Sequence, residues 1–394
     1  MKKAWRFWVV LLINVSMLMG CVRTGVPEVP STETATTDVG SDTESESGSQ
    51  TETGEEVTDT GTTEDTEPDT EEVVPEPVVE TITITATGDC ALGALQYHGY
   101  SKSFHQFYDK YGESYFFEKF YDIFSQDDLT IVNLECVFTD ESDRVDKKFN
   151  IKGHPHYTGI LTSSSVEVCS LANNHTEDYG PASFEDTKSA LDAAALAYAY
   201  EDVVAYYTTE AGVKVAMLSA KLLSDKDEKE PILMATLQKA RSEADLVIVS
   251  CHWGTENTHE LTKYQKNTAH KLIDAGADLI IGHHPHVLQG VEYYKGKVIC
   301  YSLGNFSFGA NRNPADKNTA VYQQTFTFVD GELSSELDAR LIPTRLSGKD
   351  NSNNYQPVIA TGEKAQTIIN NMREYSSKLS NLVIDDEGKL SIVE

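Results

Sequence analysis

The chain has 394 residues, with 32 Lys+Arg against 62 Asp+Glu, a formal net charge of −30 and 40% hydrophobic residues. That acidic excess argues against a nucleic-acid binder, which meets phosphates with basic patches, and a single long apolar run argues against a polytopic membrane protein. The charge is unevenly divided: three bases and no acid in residues 1–21, one base against 18 acids in 22–80, and 28 bases against 44 acids in 81–394.

Lys2, Lys3 and Arg6 precede an apolar stretch, Phe7 to Met19, broken only by Asn14 and Ser16. It is short for a membrane span and reads as a signal-peptide core. It ends in Leu18-Met19-Gly20-Cys21, which resembles the bacterial lipoprotein signal. That resemblance implies that Cys21 is lipidated and that acyl chains hold the protein to the cell membrane. Met19 is a less usual residue at its position, and an ordinary cleaved signal is the alternative. Residues 22–80 hold Thr, Glu, Ser, Asp, Gly and Pro and no aromatic residue. Such a segment cannot bury enough apolar surface to offset its chain entropy, so a disordered acidic linker is expected there. Cys90, Cys136, Cys169, Cys251 and Cys300 form no C-x-x-C pair and lie in or beside apolar runs, as small buried side chains do.

Residues 81–394 suffice for one large α/β domain, expected over 81–345 with a helical extension over 346–394. Short β-branched runs predict strands at Thr81–Thr87, Leu129–Leu134, Val166–Leu171, Val213–Ser219, Asp245–Ser250, Asp278–Ile281 and Lys297–Ser302. Helices are predicted at about Tyr115–Phe124, Ser183–Ala194, Pro231–Ala244 and Thr262–Ala275, the last stopping at Gly276. Ala320–Val329 and Leu333–Ile342, split by Asp330-Gly331, predict a hairpin, and a final helix is predicted near Glu363–Leu379.

Six of these strands end in polar residues able to bind a metal. Gly88-Asp89 follows the first, and Asn133 and Glu135 close the second. Asn173-Asn174-His175 follows the third and His252-Trp253-Gly254 the fifth. Gly282-His283-His284-Pro285-His286 follows the sixth, and Leu303-Gly304-Asn305-Phe306 comes after the last. In α/β sheets that edge is where sites assemble. Taken singly, Gly-Asp reads as a turn and His252 as a satisfied core histidine. Three imidazoles in four residues are hard to explain as packing. Carboxylates, an amide and imidazoles crowded together call for a divalent cation, and without cysteine spacing the set suits one or two ions of Mn, Fe or Zn. His98 and His105 lie in a loop or helix able to cover the site. His154, His156, His259 and His270 read mainly as surface residues. There is no nucleophile elbow, P-loop or dinucleotide fingerprint.

These motifs in this order are similar to those of the CapA family, over about residues 82–345. The family is named for membrane-associated proteins that make or export poly-γ-glutamate. The resemblance implies a calcineurin-like metallophosphoesterase-type four-layer sandwich, two mixed sheets flanked by helices, with a dinuclear metal centre and an extracytoplasmic, membrane-anchored location. By the same resemblance, Asp89 would bind the first metal and Glu135 would bridge. Asn174 and His252 would bind the second metal, and His284 and His286 would complete the two. His283 would be a competing ligand or a hydrogen-bond donor behind the ligands, with Asn133 and Asn305 as further polar neighbours. His175 would be the general acid or would steady the transition state. Two departures stand out: the usual Asp-x-His is absent, since Cys90-Ala91 follows Asp89, and the bridging acid is Glu.

The expected function is that of a surface-anchored hydrolase of a phosphoester or anionic polymer in capsule or envelope polymer biosynthesis. The alternative is a non-catalytic accessory subunit of a membrane polymer synthase or exporter.

Overall fold

The computed structural model describes residues 76–393. The signal segment, Cys21 and the linker up to residue 75 lie outside the described residues. The strands are Val79–Ala91 (β1), Leu129–Leu134 (β2), Val168–Ser170 (β3), Ala197–Ala199 (β4), Ala205–Thr208 (β5), Lys214–Leu222 (β6), Leu246–Trp253 (β7), Leu279–His283 (β8), Val291–Tyr294 (β9), Lys297–Cys300 (β10), Asn305–Phe308 (β11), Asn318–Val329 (β12), Asp338–Arg345 (β13) and Val358–Ile359 (β14), besides several shorter or peripheral pairings. The main helices are Phe104–Tyr111 (α1), Pro181–Ala193 (α2), Lys226–Arg241 (α3), Lys263–Asp274 (α4) and Gly362–Ser376 (α5).

Two mixed sheets result. The first runs β14-β13-β12-β1-β2-β3-β4, with β11 joined to the far end of β1; the second runs β9-β10-β8-β7-β6-β5. The strands that carry the site are mutually parallel within each sheet: β1, β2 and β3 in the first, β6, β7 and β8 in the second. Period-two alternation sorts their side chains. Ile84, Ile131 and Val168 share a buried layer with Met217, Ile248 and Ile281 of the second sheet. Their sequence neighbours face outward instead. Val132 and Cys169 cluster with Phe104 of α1 and Leu191 of α2. Val247 and Val249 cluster with Leu237 of α3 and Leu272 of α4. The order is helix, sheet, sheet, helix, the expected four-layer sandwich. One polar seam crosses the middle: the Ser170 hydroxyl lies 2.7 Å from that of Ser219, and Ser250 donates to Ser170 at 2.8 Å.

Several elements differ in detail from expectation. β1 and β7 run past their predicted ends, so Asp89 and His252 lie inside strands, paired with Asn305 and His283. α3 begins five residues before Pro231, which sits inside the helix; a proline there removes one helical N–H, and for that reason it reads in sequence as a start. Where one helix over Tyr115–Phe124 was expected, a 3-10 turn at Glu113–Tyr115 is followed by turns and a four-residue helix at Tyr121–Phe124. Phe116, Phe117, Phe120 and Phe124 are all buried, so packing on more than one side outweighs helical periodicity. The hairpin's main return strand is β13, beginning at Asp338 rather than Leu333. In the tail, Ile368, Ile369 and Met372 of α5 join the layer between the sheets. Cys90, Cys136, Cys169, Cys251 and Cys300 are free and buried. Among the described residues no helix is long and apolar enough to cross a membrane.

Candidate metal centre

The two sheets bring their C-terminal strand ends together, and nearly all the polar residues singled out in the sequence meet there. Asp89 is fully buried on β1. Its Oδ1 accepts from Asn133 Nδ2 at 2.9 Å and lies 2.9 Å from His283 Nδ1. Its Oδ2 lies 3.1 Å from His286 Nδ1 and accepts from the His284 backbone N–H at 3.3 Å. Asn133 and His283 therefore orient the carboxylate and leave its second oxygen facing the centre. Asn305 brackets His286, its Oδ1 3.0 Å from the ring Nδ1 and its Nδ2 donating to the His286 carbonyl at 3.2 Å.

Glu135 occupies the middle. Both its carboxylate oxygens are buried and accept no hydrogen bond, yet Oε1 lies 3.6 Å from His252 Nε2 and 3.7 Å from His286 Nε2. His252 Nε2 is also 2.7 Å from Asn174 Oδ1 and 3.1 Å from His284 Nδ1. Two groups of ligand atoms, Glu135–His252–His284 and Asp89–Glu135–His286, each lie within 4.8 Å of one another, close enough to hold an ion. Leaving a carboxylate buried and unpaired is costly, and a divalent cation shared between these groups removes the cost. The residues fit the one or two ions expected of them; nothing in the set selects among Mn, Fe and Zn.

The electrostatics agree. Burial drives His252 well below the ordinary histidine range and His284 to about 4, so both rings present neutral lone pairs. Burial also raises Glu135 well above the carboxylate range, and neighbouring Asp89 adds to the rise although His286 opposes it. For Asp89, burial opposes ionisation, but the hydrogen bonds from His283 and His286 outweigh it and hold the carboxyl well below its usual value. Burial would lower His286 too, but Glu135 and Asp89 raise it to about 10.

His175 stands beside this set. Its Nδ1 is 2.7 Å from Asp178 Oδ2. Asp178 is fully buried, also accepts from the Ile151 N–H, and is ion-paired by Lys147. Lys147 Nζ donates to the Asn174 carbonyl at 2.7 Å and sits 3.4 Å from His175 Nδ1. The ammonium and the ring N–H share Asp178 as acceptor. His175 Nε2 is the atom left for chemistry. Burial lowers His175 from its ordinary value despite Asp178. A cavity of about 210 Å³ opens from His175 and His286, walled by Leu95, Phe149, Ile151 and Phe308 on one side.

Local backbone explains the motif glycines. A Cβ on Gly88 would lie 2.1 Å from the Gly304 carbonyl oxygen, and one on Gly282 would lie 2.0 Å from that of Tyr301. Only glycine lets the strands bearing Asp89 and His283 approach so closely. His284 and His286 have φ of 95° and 60°, a conformation that side chains rarely adopt and that clusters at functional sites.

Other histidines lie elsewhere. His98 and His105 do not line the cavity. His105 bonds the Tyr157 hydroxyl at 2.8 Å and packs at a tilt against His154, which itself stacks on His156. His259 and His270 are half-buried props, against the Leu288 carbonyl and Glu292 respectively. Lys147, Asp178 and Glu256 were not singled out in the sequence. Asp178 lies three residues after His175 and Glu256 four after His252, and those spacings could have flagged them; nothing local flags Lys147.

The family model described as "Bacterial capsule synthesis protein PGA_cap" matches residues 83–310. The chain is 31% identical over 253 residues to the "Capsule biosynthesis protein CapA" of Bacillus anthracis, covering 58% of this chain and 60% of that one. It is 34% identical over 208 residues to the "PGA biosynthesis protein CapA" of Bacillus subtilis (strain 168), covering 47% and 54%. It is 27% identical over 256 residues to a "Probable polyglutamine synthesis accessory protein" of Mycobacterium tuberculosis, covering 56% and 66%. The chain thus spans between about half and two thirds of the length of these curated relatives. The solved structure of TT1561 of Thermus thermophilus aligns with 61% of this chain and 94% of that one, at TM-score 0.35 and 11% identity. With a family match over more than half its length, from β1 to just beyond β11, the chain belongs to the bacterial capsule synthesis protein PGA_cap family.

Proposed function

We propose that this protein is a surface-anchored, metal-dependent hydrolase of phosphoesterase type that serves the making of capsular poly-γ-glutamate or a related envelope polymer. The observation that carries the chemistry is Glu135, a buried carboxylate with no hydrogen bond, set among His252, His284 and His286. A bound divalent cation supplies Lewis acidity toward a phosphoryl or carbonyl oxygen and makes water more acidic. Asp89, Glu135, Asn174, His252, His284 and His286 hold it. Asn133 and His283 fix the Asp89 carboxylate, and Asn305 fixes the His286 ring. Asp178 holds the Nδ1 proton of His175, so Nε2 exchanges a proton with the leaving oxygen or the attacking water. The apolar wall of the cavity excludes bulk water on one side of the substrate. The polymer is proposed from the names of the relatives, two of them capsule or PGA biosynthesis proteins. Anchoring is proposed from the segment ending at Cys21.

The test is turnover of a chromogenic phosphodiester with added Mn²⁺. His175→Ala is expected to lower the rate by about 10²–10⁴-fold while metal content stays unchanged, and Cys21→Ser to release the protein from the membrane fraction. No turnover by the wild type, or an active His175→Ala protein, sinks the hydrolase. A second reading, a non-catalytic accessory to a membrane synthase or exporter, is favoured by the mycobacterial relatives' being named synthesis accessory proteins. It predicts that His175→Ala still restores capsule to a deletion strain.

A further inference from the structure

We infer that Glu256 is a ligand of the metal centre, completing from an exposed turn the coordination of the ion held by Asp89, Glu135 and His286. This rests on the metal-centre reading above and extends its ligand set. Glu135, His252 and His284 form one group, and Asn174 Oδ1 adjoins it 2.7 Å from His252 Nε2, so that ion has four protein groups at hand. Asp89, Glu135 and His286 offer the other ion only three. A third group, Glu256–His284–His286, also has its ligand atoms within 4.8 Å of one another; it shares His286 with the deficient set and His284 with the other, so Glu256 stands at the edge of both, and the deficient set is the one with a place to fill.

The turn that carries Glu256 is fastened over the centre rather than merely near it. The Asn257 N–H donates to the Pro285 carbonyl at 2.8 Å, between the two left-handed histidines. His259 Nδ1 lies 2.7 Å from the Leu288 carbonyl, and Gln289 Nε2 donates to the Thr258 carbonyl at 3.0 Å. Three contacts thus tie residues 257–259 to the segment that delivers His284 and His286. Glu256 is exposed, while Asp89 and Glu135 are buried, so its carboxylate closes the centre from the solvent side. Charge points the same way. Three carboxylates face the centre, and no lysine or arginine lines the adjoining cavity.

The experiment is equilibrium dialysis of the full-length protein against Mn²⁺ after stripping with chelator, with bound metal counted by atomic absorption. Wild type is expected to take up two equivalents. Glu256→Gln is expected to keep the first and to lose the second or bind it at least ~10-fold more weakly, whereas Glu260→Gln, in the same exposed loop, keeps both. Because Glu256 is exposed, the metal-stripped variant should unfold at the temperature of the metal-stripped wild type, which excludes a folding defect. Wild-type uptake by Glu256→Gln, whether of one ion or two, overturns this inference alone. No uptake by the wild type overturns it together with the hydrolase reading.

Discussion

The Lys147–Asp178–His175 line gives the sharpest expectation for a single side chain. Lys147 does not itself line the cavity and touches no metal ligand's side chain, but it pairs with buried Asp178, lies beside the His175 ring and donates to the Asn174 carbonyl. It is therefore a positioning residue for both His175 and Asn174. Lys147→Met leaves a buried carboxylate with less compensation and should destabilise by on the order of 2 kcal/mol. Steady-state kinetics should show kcat falling with KM little changed, and Lys147→Arg should restore part of kcat. A rise in KM with kcat intact would refute that role. At this scale the sequence was informative where ligands stand in dense motifs after strands, as in Gly282–His286. It was silent on Lys147, which reaches the site from a loop 28 residues before His175 and forms no local pattern.

Among the elements, the opposite ends of β2 and β3 carry their own titration. Asp127 and Glu167 are each raised to about 7, in both cases chiefly by burial. Asp127 Oδ2 accepts from the Thr130 hydroxyl at 2.7 Å, while Oδ1 is buried without a partner. With folded-state values above the unfolded ones near 4, the folded chain binds more protons in between. Stability is then greatest below about pH 4 as far as these groups are concerned, and it is lost as pH rises through about 7. Asp127→Asn should flatten that slope and raise the unfolding temperature at pH 8, a gain on the order of 1 kcal/mol. Thermal melts from pH 5 to 8 measure it, and an unchanged slope would count against the burial argument. The strands that carry the site, β1, β2, β3, β6, β7 and β8, were legible as β-branched runs and the α4 helix from its spacing and stop, whereas short β4, β5, β9, β11 and β14 were not. Not legible were the left-handed backbone at His284 and His286, which depends on contacts made far along the chain, and the break between Phe116 and Phe124, where aromatic packing decides.

For the molecule as a whole, the centre draws Asp89, Glu135 and Asn174 from one sheet and its loops, and His252, His284 and His286 from the other. Behind it, the seam of Ser170, Ser219 and Ser250 is a cross-sheet contact made through hydroxyls rather than apolar packing. Chelation should lower the melting temperature by several degrees, since whatever binds only the folded state stabilises it by mass action; a metal-stripped protein that melts unchanged would argue against an occupied centre. The serine seam has a mechanical corollary. Its hydroxyls interrupt the apolar layer that joins the two sheets, and an ion held by ligands from both sheets would add a tie between the two halves beside that interruption. Protease nicking after chelation should therefore begin in the connections between the halves and spare the helices outside them.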